Sequence, residues 1–187
     1  LPNQDFIMPL SEAAPRKHLH TRAITLHGYQ RHDGKFDIEA EITDTKSYQF
    51  DIDTRTVRVG DPLHHMRARI TVDENLTITA AEAVTEAGPF AICPGGAETF
   101  GRLVGLPIRA GFLKAANERL GGAVGCTHIR ELLQQMATVA FQTTYPMRAK
   151  RESDTPSERP RLLNTCFAYA DTGEVVQKRW PHLFKAT

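Results

Sequence analysis

The stretch Gly121-Gly-Ala-Val-Gly-Cys-Thr-His-Ile-Arg-Glu131 gathers side chains that can move protons, and it runs into the apolar-periodic segment Leu132 to Phe141. Three glycines followed by Cys126, Thr127 and His128 describe a loop that opens into a helix N-terminus. Free backbone N–H groups and the positive end of the helix dipole favour a bound anion there, and they favour the neutral form of a histidine. A neutral imidazole can act as a base. His128 and Glu131 lie three apart and Glu131 and Gln135 four apart, so a helix brings all three to one face. The plainer explanation makes Thr127 an N-cap and His128 a surface residue of the first turn. Cys126 at a helix start is a candidate nucleophile, although a small buried cysteine is the commoner case.

The elements that must position these groups come first in the chain. Residues 1–17 contain prolines and no sustained periodicity, which predicts an extended arm, followed by one domain over 18–187. Arg22, Ile24 and Leu26 begin an alternating strand. Asp33-Gly34 is a hairpin turn signal, and Phe36, Ile38, Ala40 and Ile42 then alternate with polar residues as a half-buried strand. Residues 51–61 read as a polar connection. Met66, Ala68, Ile70 and Val72 mark a further strand whose other face carries His65, Arg67, Arg69 and Thr71. Leu76 to Ala80 is the next. Short turns between consecutive strands favour an antiparallel meander.

Helical spacing follows over 97–105, 111–120 and 128–145, with Gly121-Gly122 as a left-handed stop for the second of these. The third is the strongest, with Ile129, Leu132, Leu133, Met136, Val139 and Ala140 in one stripe. Lys150 to Arg161 reads as an exposed loop. Leu163 to Tyr169 and Glu174 to Trp180, around a turn at 171–173, read as a closing hairpin. The architecture expected is α+β: a curved antiparallel sheet packed on two or three helices.

A chain of 187 residues with 41% hydrophobic and 24% charged residues has the composition of an ordinary globular domain. Its net charge of +1 argues against a dedicated nucleic-acid binder. No apolar run approaches the ~18 residues of a membrane span, and residues 1–15 do not read as a signal peptide, so a cytoplasmic location is expected. Three widely spaced cysteines fit a reducing compartment better than a disulfide framework. No Cys-x-x-Cys or His-Glu-x-x-His zinc signature occurs. The histidines near the N-terminus invite a metal reading, but along a strand His18 and His20 share a face that His27 does not. If sheet and helix meet, His20, His64 and His128 form the trio best placed for a metal; the expectation is none.

Several motifs in order resemble a bacterial family known only as a domain of unknown function. They are His18-Leu-His-Thr-Arg22, Gly28-Tyr-Gln-Arg-His-Asp-Gly34, Ile38-Glu-Ala-Glu-Ile-Thr-Asp-Thr-Lys46, His64-His-Met-Arg67, Leu103-Val-Gly105, Gly125-Cys-Thr-His-Ile-Arg-Glu-Leu132 and Ala140-Phe-Gln142. The likeness spans roughly residues 16–182. The family pattern has one His followed by Asp where this chain has His64-His65, so His64 is the matching position. Within the family the chain is similar to the γ-formaldehyde lyase type of lignin-dimer catabolism. That resemblance implies a carbon–carbon lyase that opens the furan ring of a phenylcoumaran-type aromatic dimer and releases formaldehyde to leave a stilbene.

Such a reaction consists of proton transfers and charge stabilisation, and it needs no metal or organic cofactor. His128 is then the leading base, with Glu131 or Asp44 orienting it or sharing its proton. Tyr29 or His64 is the proton donor. Lys46, Arg22 and Arg67 stabilise a phenolate or bind a carboxylate, and His20, Cys126 and Thr127 line the substrate. Each also has a structural explanation: Arg22, Lys46 and Arg67 as solvated strand positions, Arg67 paired across strands with a glutamate, and Tyr29 as a ring at the core edge. The rival functions are a metal-dependent hydrolase or isomerase on an aromatic or acyl substrate, and a non-catalytic small-molecule binding module. The expected partners are a small aromatic substrate and a second copy of the chain, since an N-terminal arm and open sheet edges both invite pairing.

Overall fold

The computed structural model describes residues 10–53, 55–154 and 160–186, with the side chains of 152–154 left out. The chain divides into two compact units, Leu1–Thr144 and Tyr145–Thr187. Residues 1–9 of the expected arm lie outside the described residues, and residues 10–17 are exposed without regular structure.

The first unit is built on strands β1 (His20–Gln30), β2 (Phe36–Lys46), β5 (Pro62–Val72) and β6 (Ile78–Ala87), paired antiparallel in the order β1-β2-β5-β6. Between β2 and β5 lies a two-stranded hairpin, β3 (Phe50–Ile52) and β4 (Arg55–Val57), within the segment expected to be a plain connection. Alternation decides which face is core. Phe36, Ile38, Ala40 and Ile42 of β2 and Met66, Ala68, Ile70 and Val72 of β5 are buried. Helix α3 (Thr127–Thr143) lies across β1, β2 and β5 and contributes Ile129, Leu132, Leu133, Met136 and Ala140 to that layer. The opposite face carries charged residues of alternate position, in rows such as Glu39, Arg69 and Glu82.

The α+β class and the antiparallel order agree with the sequence pattern; several boundaries do not. β6 runs seven residues beyond the expected Ala80, because Ala81 and Ala83 are small enough to sit on the packed face although they carry little apolar signal. The helix expected over 97–105 is a short α1 (Gly95–Glu98) followed by a 3-10 turn at Thr99–Leu103. Helix α2 (Phe112–Leu120) is as expected, but the positive φ after it belongs to Gly122 (63°), while Gly121 is extended. Helix α3 stops at Thr143, and a separate α4 (Tyr145–Asp154) begins with Pro146 in its first turn, where a missing N–H costs no hydrogen bond.

Residues 150–154, expected in a loop, are the end of α4, while 155–159 fall outside the described residues. The closing hairpin is absent. Phe167–Tyr169 is a 3-10 turn and α5 (Glu174–Arg179) is a helix. Its acid in the first turn, its two bases in the last and the Glu174–Lys178 pair at 3.4 Å suit the helix dipole better than a strand.

One close approach fixes how α3 sits on β1. A Cβ on Gly28 would lie 1.8 Å from Thr143 Oγ1, so a side chain there forces strand and helix apart. Gly28→Ala is therefore expected to destabilise the fold by about 1–3 kcal/mol, the usual cost of overpacking. Denaturant midpoints check this, and an unchanged midpoint would contradict the packing.

Candidate functional site

At one end of the sheet the core rows stop being apolar. The packed row of β2 continues Ile38, Ala40, Ile42 and then Asp44, which is 1% exposed. The packed row of β5 begins with His64 before Met66, and that of β1 begins with His20 and Arg22 before Ile24. Register makes these residues neighbours: Arg22 is opposite Asp44 on one side and His64 is opposite it on the other. A register shift between Asp44 and Thr45 distorts the ladder at this point, as bulges often do beside functional groups.

Helix α3 supplies the lid of the cluster. Cys126 is its N-cap residue, so Thr127 is the first helical residue and His128 the second. The glycines before it permit close packing. A Cβ on Gly125 would lie 2.7 Å from the Leu120 carbonyl oxygen, and the Cys126 N–H donates to the Gly96 carbonyl at 3.3 Å. These contacts tie the helix start to α1 and to the end of α2.

Asp44 is the hub. Arg22 grips it with both arms of its fork, Nε to Oδ1 at 2.8 Å and Nη2 to Oδ2 at 2.7 Å. His64 donates from Nδ1 to Oδ2 at 3.0 Å. His20 Nε2 approaches Oδ1 at 3.3 Å, and His128 Nε2 lies 3.8 Å from Oδ2. Burial alone would raise the Asp44 pKa, but the Arg22 bonds and charge, together with His64, outweigh it and bring the carboxyl from 3.8 down to about 2. Asp44 is thus an anion at any physiological pH. The same pairing raises the Arg22 pKa, and the other face of the guanidinium is held by Glu131.

The hydrogen bonds also fix tautomers. A carboxylate only accepts, so His64 Nδ1 carries a hydrogen and the neutral ring keeps its lone pair on Nε2. Burial, and secondly the nearby His128, push the His64 pKa below 6.5 against the pull of Asp44. The His20 Nδ1 donates to the Thr45 carbonyl at 3.0 Å, which leaves its Nε2 facing Asp44. The His64 and His128 rings lie 3.9 Å apart between centroids, tilted by 32°, and the Cys126 sulfur is 3.9 Å from His128 Nδ1. A buried anion, a neutral imidazole oriented by it and a second imidazole beside the first are groups that can accept and donate protons, next to a guanidinium fixed between Asp44 and Glu131.

The structure brings Asp44, His64, His128, His20, Arg22, Glu131 and Cys126 together. Glu131 meets Arg22 and not His128, because one turn of helix carries it toward the strand edge. Thr127 is exposed at the helix start, and Lys46 is opposite His20 at the end of β2, on the same face as Asp44. Tyr29 is not part of the cluster. It lies nine residues along β1 from His20, roughly 30 Å at the rise of a strand, and its odd position faces the other side of the sheet. Arg67 is also on that other side, paired with Glu41 and Glu86 over a shallow concavity of about 380 Å³. His65 takes the same two glutamates, on the side of the sheet away from Asp44.

Asp44, His64 and His128 also place three potential metal ligands within 4.8 Å of one another. The trio expected from sequence had His20 in place of Asp44. What a single sequence hides is the centrality of Asp44, although a signal exists: a carboxylate in the next position of an otherwise apolar alternating row is costly unless it is paired.

The fold and the cluster define an α+β protein whose sheet-and-helix core ends in a carboxylate surrounded by histidines and an arginine. The family described as "Protein of unknown function (DUF2889)" matches residues 20–142, from the start of β1 to the last turn of α3, and the chain belongs to it. No curated protein and no solved structure matches the chain. Among the described residues no helix is long and apolar enough to cross a membrane.

Proposed function

We propose that the protein is a cofactor-independent lyase of aromatic catabolism, which opens the furan ring of a phenylcoumaran-type dimer and releases formaldehyde to give a stilbene. The observation that carries this reading is the Asp44–His64 pair at 3.0 Å with a second imidazole 3.9 Å from the first. Two adjacent histidines suit a reaction that needs a base and an acid in turn. The base takes the phenol proton, and the phenolate electrons expel the ring oxygen as an aryloxide, leaving a quinone methide. The protonated neighbour donates to the aryloxide and takes the phenol proton over from the base, which is thereby free again.

Next the base removes the proton of the primary alcohol. Its C–O bond becomes the carbonyl of formaldehyde as the C–C bond breaks, and those electrons form the stilbene double bond and restore the phenolate, which takes the proton back from the base. His64 Nε2 is the base in this scheme and His128 the donor. The charge of Arg22 stabilises the anions. No step forms a bond to the protein, so Cys126→Ser is expected to keep turnover within about tenfold, and complete loss would argue for a covalent route through the thiol.

The test is to incubate chelator-treated protein with a phenylcoumaran dimer and follow stilbene absorbance and formaldehyde together. Equal yields of both support the lyase; neither product contradicts it. A second reading rests on the close approach of Asp44, His64 and His128, a two-histidine, one-carboxylate set of the kind that binds divalent transition metals. Under it the protein is a metal-dependent hydrolase or isomerase on an aromatic or acyl substrate. Against it, Arg22 already occupies both oxygens of Asp44. Activity that chelator abolishes and added zinc restores would favour this reading over the first.

A further inference from the structure

The two edges of the sheet are treated differently. The β6 edge is partly covered: Gly105 N–H donates to the Ile78 carbonyl at 2.8 Å, Ile78 N–H to Leu106 at 2.9 Å and Ile108 N–H to Leu76 at 2.9 Å. The pairing of β5 with β6 also carries two register shifts. The β1 edge has none of these protections. It is eleven residues long and pairs with β2 without a register shift. It contains no proline, lysine or acid, and its one charge, Arg22, is turned to the packed face and held by Asp44 and Glu131.

The ladder shows which backbone groups are unpaired. Ser47 N–H donates to the Leu19 carbonyl, and Leu19 is opposite Ser47 in the register that sets His20 against Lys46. Opposed pairs alternate between bonded and non-bonded, so odd residues of β1 aim their amides at β2 and even residues aim theirs outward. The His20 carbonyl is met by His18 Nε2 at 3.0 Å. From Arg22 to Gly28, no outward amide or carbonyl has a partner among the described residues.

We infer that β1 pairs antiparallel with β1 of a second copy of this chain about a two-fold axis at Thr25, making one continuous eight-stranded sheet. That register uses the whole strand, and each opposed even pair exchanges two N–H···O bonds. It sets Ile24 against the partner's Leu26 and Leu26 against the partner's Ile24, so that half-buried aliphatic side chains meet on the α3 side. Arg22, the single formal charge of the strand, comes opposite the partner's Gly28, where no side chain competes with its grip on Asp44 and Glu131. No like charges are opposed. His20 comes opposite the partner's Gln30, so each Asp44 site takes one wall from the other copy. The pairing is independent of the lyase reading, because its test reads mass and cross-linking and not turnover.

Sedimentation equilibrium of the full chain at tens of micromolar is expected to return the mass of two chains, and the mass of one would overturn the pairing. Thr25→Cys tests the register. Across the two-fold the two Thr25 positions form a non-bonded pair with Cα atoms about 4.5 Å apart, a separation a disulfide can span. Mild oxidation is expected to convert Thr25→Cys to a covalent dimer on a non-reducing gel. Ala23→Cys, opposite the partner's His27, is expected to stay at the level of the wild type, whose exposed Cys166 sets the background. Equal cross-linking of both variants, or none at Thr25, would refute this register. Leu26→Lys is expected to shift the mass toward one chain; a variant that folds and keeps the wild-type mass would refute it too.

Discussion

Asp44→Asn is expected to lower turnover by roughly 10³- to 10⁴-fold, the scale seen when the carboxylate that orients a catalytic imidazole is replaced by its amide. The amide keeps the shape and loses the function. One of its two ends becomes a donor, and both Arg22 and His64 Nδ1 already donate there. His64 then loses its acceptor, and the tautomer that leaves Nε2 free is no longer selected. Arg22 loses half of its fork partner and keeps Glu131. A folded Asn variant, verified by circular dichroism, that retained activity within tenfold would contradict the central place given to Asp44.

The same carboxylate contributes to stability, and the sign follows from its lowered pKa. The unfolded chain takes up a proton near 3.8 and the folded chain near 2, so the contribution is present above 3.8 and is lost as pH falls toward 2. A difference of that size is worth on the order of 2 kcal/mol. Acid unfolding of the Asn variant is expected to be correspondingly flatter through this window.

His64→Gln is the second large effect, a loss of about 10²- to 10⁴-fold, the range for removing a general base. The pH profile separates it from a packing defect. Burial and the neighbouring His128 keep His64 below its usual 6.5, so at neutral pH the ring is the free base. Wild-type turnover is expected to hold through neutrality and to fall with an apparent midpoint below 6.5. Stability follows the same direction: the contribution of the neutral ring is complete above 6.5 and is lost as pH falls through the depressed value. The residual activity of the Gln variant is expected to lack that acid limb. An unchanged limb would assign the base elsewhere, with His128 the next candidate.

The sequence made the sheet legible because period-two alternation in residues 36–42 and 66–72 admits one packed face. The meander followed from the short turns between strands. β6 reads short because its inward alanines carry little apolar signal, and Glu174 to Trp180 reads as a strand because of Val175 and Val176, although the charges around them suit a helix better.

The residue types of the site were legible one by one, while their pairing was not. Glu131 is three residues from His128, yet a strand residue more than a hundred positions away claims it. Tyr29 and Arg67 carry groups that suit the chemistry, but strand alternation puts both on the face of the sheet away from Asp44. In the sequence Asp44 reads as a helper of His128, because the burial that makes it the hub depends on three strands and a helix meeting at one end of the sheet.

The most direct test of the Asp44–His64 centre is ¹⁵N NMR of ring-labelled histidine in metal-depleted protein, with His64 assigned through its Gln variant. The prediction is a protonated Nδ1 and a lone-pair Nε2 at neutral pH, with Nε2 gaining its proton below 6.5. A lone-pair Nδ1, or a ring already protonated at neutral pH, would show that Asp44 does not hold His64 as a base.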